Sequence, residues 1–169
     1  LGIGAGDGRD FAAFRRCDID IAKGASGILA QIEEAGKELI AEHPVHRIGI
    51  GFGGPVDSDC GRVIKSHQVD DWDDVPLAAW CEEKLGVPAV LGNDCDCAAL
   101  AEALFGAGQG SRTVFYVTVG TGIGGGLIID RTLHGKGRPA VAEIGHLRPG
   151  LSADTPAATV ESYAAGPAI

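Results

Sequence analysis

Apolar side chains at Ile28, Leu29, Ile32, Ala35, Leu39 and Ile40 fall at helical spacing and predict a helix over 22–42 with one buried face. Pro44 stops it. Residues 47–52 read as a short strand running into a turn at Gly53-Gly54-Pro55. The polar, acidic stretch 58–74 reads as loop with a short strand at Val63 and Ile64. A helix follows over 76–85, with Pro76 near its first turn and Gly86 just past its end. A second strand over 87–91 leads to Asn93-Asp94, and an alanine-rich helix occupies 97–107. The β-branched and aromatic run 113–119 predicts a third strand. A fourth, at 127–129, closes a hairpin through the glycine-rich stretch 120–126. Residues 133–149 read as irregular and 161–169 as a helix that has just begun. Strands alternating with helices imply an α/β fold. The break at Gly108-Gln109-Gly110 is the expected boundary between a first lobe, 1–109, and the start of a second, 110–169.

Composition changes this picture little. The chain has 169 residues, 45% of them hydrophobic and 22% charged, the balance of an ordinary soluble domain. Its 27 glycines gather in particular loops and form no repeat. With 14 basic and 23 acidic side chains the net charge is −9, which argues against a nucleic-acid or acidic-membrane binder. No apolar run approaches the roughly 20 residues that span a bilayer. Cys17, Cys60, Cys81, Cys95 and Cys97 form no C-x-x-C pair, and the expectation is reduced thiols in a cytoplasmic protein. Methionine is absent even from position 1, and the last helix is barely started, so both ends are expected to be cuts through a longer chain.

Three groups of residues carry candidate chemistry. Five of the seven residues at 120–126 are glycine, and successive backbone N–H groups in such a turn can cradle phosphate, with Thr118 and Thr121 adding hydroxyls. A plain tight hairpin is the alternative. The same stretch also fits G-x-G-x-x-G, with Glu143 as an acidic ribose ligand, but that dinucleotide reading needs a helix after the loop, and the residues that follow are β-like. Asn93-Asp94 lies just beyond a strand, where open α/β sheets bind ligands; Asp94 as a helix cap is the other reading. Asp96 reads as a first-turn acid complementing the helix dipole. Glu143, His146 and Glu161 offer donors and acceptors suited to sugar hydroxyls, or they are ordinary surface and core residues.

Taken together, the chain resembles the family of repressors, open reading frames and kinases (ROK). The match is carried by Gly49-Ile50-Gly51-Phe52-Gly53-Gly54-Pro55-Val56-Asp57, by the stretch 93–102 beginning Asn93-Asp94-Cys95-Asp96, and by the stretch 117–126. Glu143-Ile144-Gly145-His146 and the stretch 161–169 complete it in the same order. The resemblance implies an actin-like, ribonuclease-H-like two-lobed sugar kinase fold, present here in part. It implies ATP and Mg²⁺ as co-substrate and cofactor, and a hexose as substrate. By position Asp94 is the catalytic base; Asn93, Glu143, His146, Glu161 and the backbone of Gly54 are sugar ligands; and Thr118, Gly120, Thr121, Gly122, Gly124 and Gly125 belong to a phosphate-binding loop. A homodimer is expected for the complete protein.

Departures from the family pattern set further expectations. The first phosphate loop, of Asp-x-Gly-Gly-Thr type, has no counterpart: the stretch 2–8 lacks that threonine and lacks strand context. No cysteine occurs over 147–160, so the family's zinc cluster is missing and no zinc is expected. Without the downstream half and its adenine pocket, residues 1–169 alone are expected to be inactive and to aggregate or pair. A non-catalytic, sugar-sensing regulator of the same family is the alternative function, and a nucleotide-dependent dehydrogenase a more distant one.

Overall fold

The computed structural model describes residues 1–66, 68–135, 141–150, 155 and 157–169. They form two compact units, Leu1–Asn93 and Asp94–Ile169.

The first unit opens with a hairpin that the sequence left unassigned. β1 (Gly2–Gly6) pairs antiparallel with β2 (Phe11–Arg16), with a bulge between Ala5 and Gly6. The turn is fastened by Asp7, whose Oδ1 accepts from the Arg9 and Asp10 amides at 2.9 and 3.0 Å. Gly8 has φ +93°, a conformation natural to glycine. The expectation that residues 2–8 lack strand context is therefore corrected. Glycine at every second position of β1 had hidden the alternation of Ile3 and Ala5.

A 3₁₀ turn at Ile21–Lys23 leads into α1 (Gly24–Glu42), which buries Ile28, Ala35 and Leu39 on the face foreseen. β3 (Ile48–Phe52) follows, then a small antiparallel pair, β4 (Val56–Asp57) and β5 (Arg62–Val63). α2 (Leu77–Leu85) ends at Gly86 in the left-handed conformation, φ +69°. β6 (Ala89–Asn93) starts two residues later than the sequence indicated. It runs parallel to β3, with Phe52 opposite Asn93. The crossover through α2 is what permits parallel pairing. The core of this unit is built on Val63, Trp72, Leu77, Cys81 and Leu91, with Trp72 edge-on to Phe52 at 5.1 Å.

The second unit begins with α3 (Asp94–Phe105), longer at its start than the sequence reading. The compact units thus divide ahead of α3, while the break at Gly108-Gln109-Gly110 lies behind it. β7 (Thr113–Val119) matches the expected strand, but β8 (Ile123–Ile129) is much longer than 127–129, so Gly124, Gly125 and Gly126 belong to a strand and not to a loop. β7 and β8 pair antiparallel from Thr113–Ile129 to Val119–Ile123, and β9 (Thr132–Leu133) adds a short edge. α3 lies across this hairpin, with Ala99, Ala103 and Ile128 at the centre of the core. A 3₁₀ turn at Ile144–His146 and α4 (Val160–Ala164) complete the described residues, with a further 3₁₀ turn at Gly166–Ala168. A strand after the glycine turn removes the context a dinucleotide fingerprint requires. No described helix is long and apolar enough to cross a membrane.

Candidate active site

In the first unit the candidate residues sit at the carboxyl ends of the parallel strands, where α/β sheets hold ligands. Asn93 closes β6, and its Nδ2 donates to the Gly54 carbonyl at 3.1 Å. The Gly54 amide in turn donates to the Phe52 carbonyl at 3.0 Å. A side chain at Gly54 would meet the Lys65 carbonyl at 3.0 Å and the Phe52 ring at 3.1 Å, so the glycine here answers to crowding. Two of the predicted sugar ligands, Asn93 and the Gly54 backbone, are thus one hydrogen-bonded pair.

The second unit gathers residues distant in sequence. Asp94, the first residue of α3, is exposed, and its Oδ1 accepts from the Cys95 amide at 2.9 Å. That contact gives the helix-capping reading partial substance, and the Cys95 side chain hydrogen-bonds the same carboxylate. Burial pushes the Cys95 thiol up to about 12, with the charges of Asp94, then Glu143 and Asp96, adding to it. Burial also raises the Asp96 carboxyl, again helped by Glu143 and Asp94. Asp94 and Glu143 thus both act electrostatically on Cys95 and on Asp96. By sequence Asp96 reads only as a first-turn acid complementing the helix dipole. The charge of Glu143 acts on it across 47 positions of chain, which no local pattern encodes.

Glu143 and His146 flank the 3₁₀ turn, and the His146 amide donates to the Glu143 carbonyl at 3.1 Å. His146 is exposed and Glu143 half-buried. Gly145 packs against the Ile123 carbonyl so closely that a side chain would overlap it. The Val160 amide donates to the Leu147 carbonyl at 2.8 Å, tying α4 to this turn. α4 carries Glu161 and is fixed by a capping box between Thr159 and Ser162.

The glycine-rich stretch splits into two parts with different reasons for glycine. None of Gly120, Gly122, Gly124, Gly125 and Gly126 has positive φ, so left-handed backbone is not the reason for glycine here. Close approach is the reason in the strand. A Cβ on Gly126 would lie 2.5 Å from Ala99 Cβ and 3.0 Å from the Cys95 carbonyl, one on Gly125 2.6 Å from the Ala142 carbonyl, and one on Gly124 2.7 Å from Cys95 Sγ. In the turn itself, a Cβ on Gly122 would lie 2.6 Å from Glu161 Oε2, while Gly120 faces open space. Thr118 is half-buried opposite Gly124, and Thr121 is exposed.

Glu161 is the residue the fold brings to this turn. Its Oε2 accepts from the Ile123 amide at 2.7 Å. From the same segment the Gly166 amide donates to the Gly120 carbonyl at 2.7 Å. Thr121, Glu161, Ser162, Ala165, Pro167 and Ala168 line an open cavity of 320 Å³ beside it. Backbone at this turn therefore already holds an anionic oxygen, which is the chemistry a phosphate group needs. The Ile123 amide carries no signal in the sequence, being a backbone group.

For a divalent cation the fit is poorer. Among the described residues no group of three or more His, Cys, Asp or Glu could hold a metal. The expectation about zinc concerns 147–160, a stretch that lies partly outside the described residues.

Residues 23–169 match a family model described as the ROK family. A glucokinase of Streptomyces coelicolor is 39% identical over 106 residues, covering 63% of this chain and 33% of that protein. The crystal structure of a ROK hexokinase from Thermus thermophilus superposes with a TM-score of 0.81 at 32% identity, covering 98% of this chain and 56% of that one. A ROK family glucokinase from Streptomyces griseus, solved in complex with glucose and AMPPNP, superposes with a TM-score of 0.77 at 34% identity, covering 95% of this chain and 52% of that one. The chain spans about one third to one half of these relatives' length.

Proposed function

The chain belongs to the ROK family and carries part of its actin-like, ribonuclease-H-like fold; from that premise we propose that it is part of an ATP-dependent kinase that phosphorylates a hexose. The observation that supports this most is Glu161 on the glycine turn, where its Oε2 accepts from the Ile123 amide at 2.7 Å.

In this reading Asp94 accepts the proton of the sugar hydroxyl that attacks the γ-phosphate. Asp94 is exposed at the start of α3, where such a hydroxyl can reach its carboxylate. General base catalysis of this kind contributes about 10²–10⁴-fold. The proposed sugar ligands are Asn93 and the backbone at Gly54 in the first unit, and Glu143, His146 and Glu161 in the second. His146 and the carboxylates suit hydroxyls, which both donate and accept. The turn at Gly120, Thr121 and Gly122 receives phosphate oxygens; Thr118, Gly124 and Gly125 support it from the paired strands. When bound, Mg²⁺ would neutralise charge on the transferred phosphates.

The experiment is a coupled assay of the complete protein with ATP and a panel of hexoses, on wild type and on Asp94→Asn. Phosphoryl transfer to at least one hexose that falls with the substitution supports the reading. Sugar binding with no transfer to any hexose favours the non-catalytic, sugar-sensing alternative. A cytoplasmic location and a homodimer belong to the same proposal.

A further inference from the structure

The contact between Glu161 and the glycine turn joins two halves of the proposed site that the kinase reading treats separately. Glu161 stands among the sugar ligands, yet its carboxylate rests on the Ile123 amide, 2.7 Å away, where the turn would meet phosphate. It also packs on Gly122, where an added Cβ would be 2.6 Å from the same oxygen. The cavity alongside is lined by both Glu161 and Thr121. A full negative charge held at a phosphate-binding turn opposes a second anion arriving there, by Coulomb repulsion and by occupying a donor.

We propose that Glu161 is a positioning residue that couples the two subsites: with no sugar bound its carboxylate occupies the turn and disfavours nucleotide, and sugar hydroxyls, by donating to it, draw it off the Ile123 amide and open the turn to phosphate. The inference rests on the kinase reading of this site. It makes sugar and nucleotide binding mutually favourable, and by linkage each raises the other's affinity by the same factor. The capping box of α4 uses Thr159 and Ser162, so the helix does not depend on the Glu161 side chain, and a substitution there leaves its fastening intact. The bond from the Gly166 amide to the Gly120 carbonyl holds the turn independently of the carboxylate.

The test measures AMPPNP binding to the complete protein by calorimetry, with and without saturating glucose, for wild type and Glu161→Gln. Glutamine keeps an acceptor oxygen for the Ile123 amide and removes the charge. For wild type, glucose is expected to tighten AMPPNP binding by about three- to ten-fold, the size of one partly exposed charge acting on another. Glu161→Gln, which removes the charge but can still occupy the amide, is expected to bind AMPPNP without glucose more tightly than wild type does, and to show a smaller glucose effect. A second measurement needs no variant: the Ile123 amide proton in wild type should move upfield when glucose is added, as its bond to the carboxylate is lost. A glucose effect of the same size in wild type and Glu161→Gln overturns the coupling, as does an Ile123 amide unmoved by saturating glucose. Either result leaves the kinase reading standing, because both ligands still bind. Absence of any AMPPNP or glucose binding by wild type sinks the kinase reading and the coupling with it.

Discussion

Adding one methyl group at Gly126 tests whether the glycine run serves the fold as well as the ligand. The Cβ of Gly126→Ala would lie 2.5 Å from Ala99 Cβ and 3.0 Å from the Cys95 carbonyl, both on α3. Carbon atoms pack best near 3.5 Å, so α3 would have to retreat from β8 by about 1 Å. Neither neighbour can swing aside: one is a β-carbon and the other backbone. Retreat loosens Ala99 and Ala103 against Ile128, the centre of the second unit's core. Overpacking of this kind costs about 1–3 kcal/mol. Alanine recovers about 0.5–1 kcal/mol over glycine within a strand. The net expectation is a loss of about 1 kcal/mol and at most about 2.5 kcal/mol. Gly120→Ala is the control, because its Cβ meets nothing within 4 Å, and it should stay within about 0.5 kcal/mol of wild type. Urea denaturation of the complete protein, followed by far-ultraviolet circular dichroism, reads both. A Gly126→Ala midpoint equal to that of Gly120→Ala would refute the close packing of α3 on β8.

Asp94→Asn should lower kcat by at least about 10²-fold with a much smaller change in sugar affinity; near-normal turnover rules out the base assignment. Elemental analysis of the purified complete protein should find no stoichiometric zinc, and one tightly held zinc per chain would reverse the reading of 147–160. Burial lifts the Cys81 thiol from 9.0 to about 11 and Cys95 to about 12, so at pH 8 both should resist iodoacetamide until the protein unfolds. The sign of the linkage follows: a thiol whose pKa is raised by folding contributes stability that is complete below about 9 and is lost as pH climbs toward 11–12. A denaturation midpoint that rises between pH 9 and 11 contradicts this.

Periodic segments were legible from the chain alone. The apolar face of α1 and the strand Thr113–Val119 follow from local spacing and β-branched content, and the order of the motifs gave the family before any coordinate. Elements with little side-chain signal were not. The β1–β2 hairpin was missed because glycine occupies every second position of β1, leaving no alternation of polar and apolar groups to read. The length of β8 was missed because glycine says turn in isolation and says close approach only beside α3 and Ala142. The candidate ligands could be named one by one in the sequence. Which of them meet was a tertiary matter: Glu161 reaches the Ile123 amide, and the charge of Glu143 acts on Asp96, between segments far apart in the chain. Residue type fixes what a group can donate or accept, while its partner is fixed by which backbone the fold carries within about 3 Å of it.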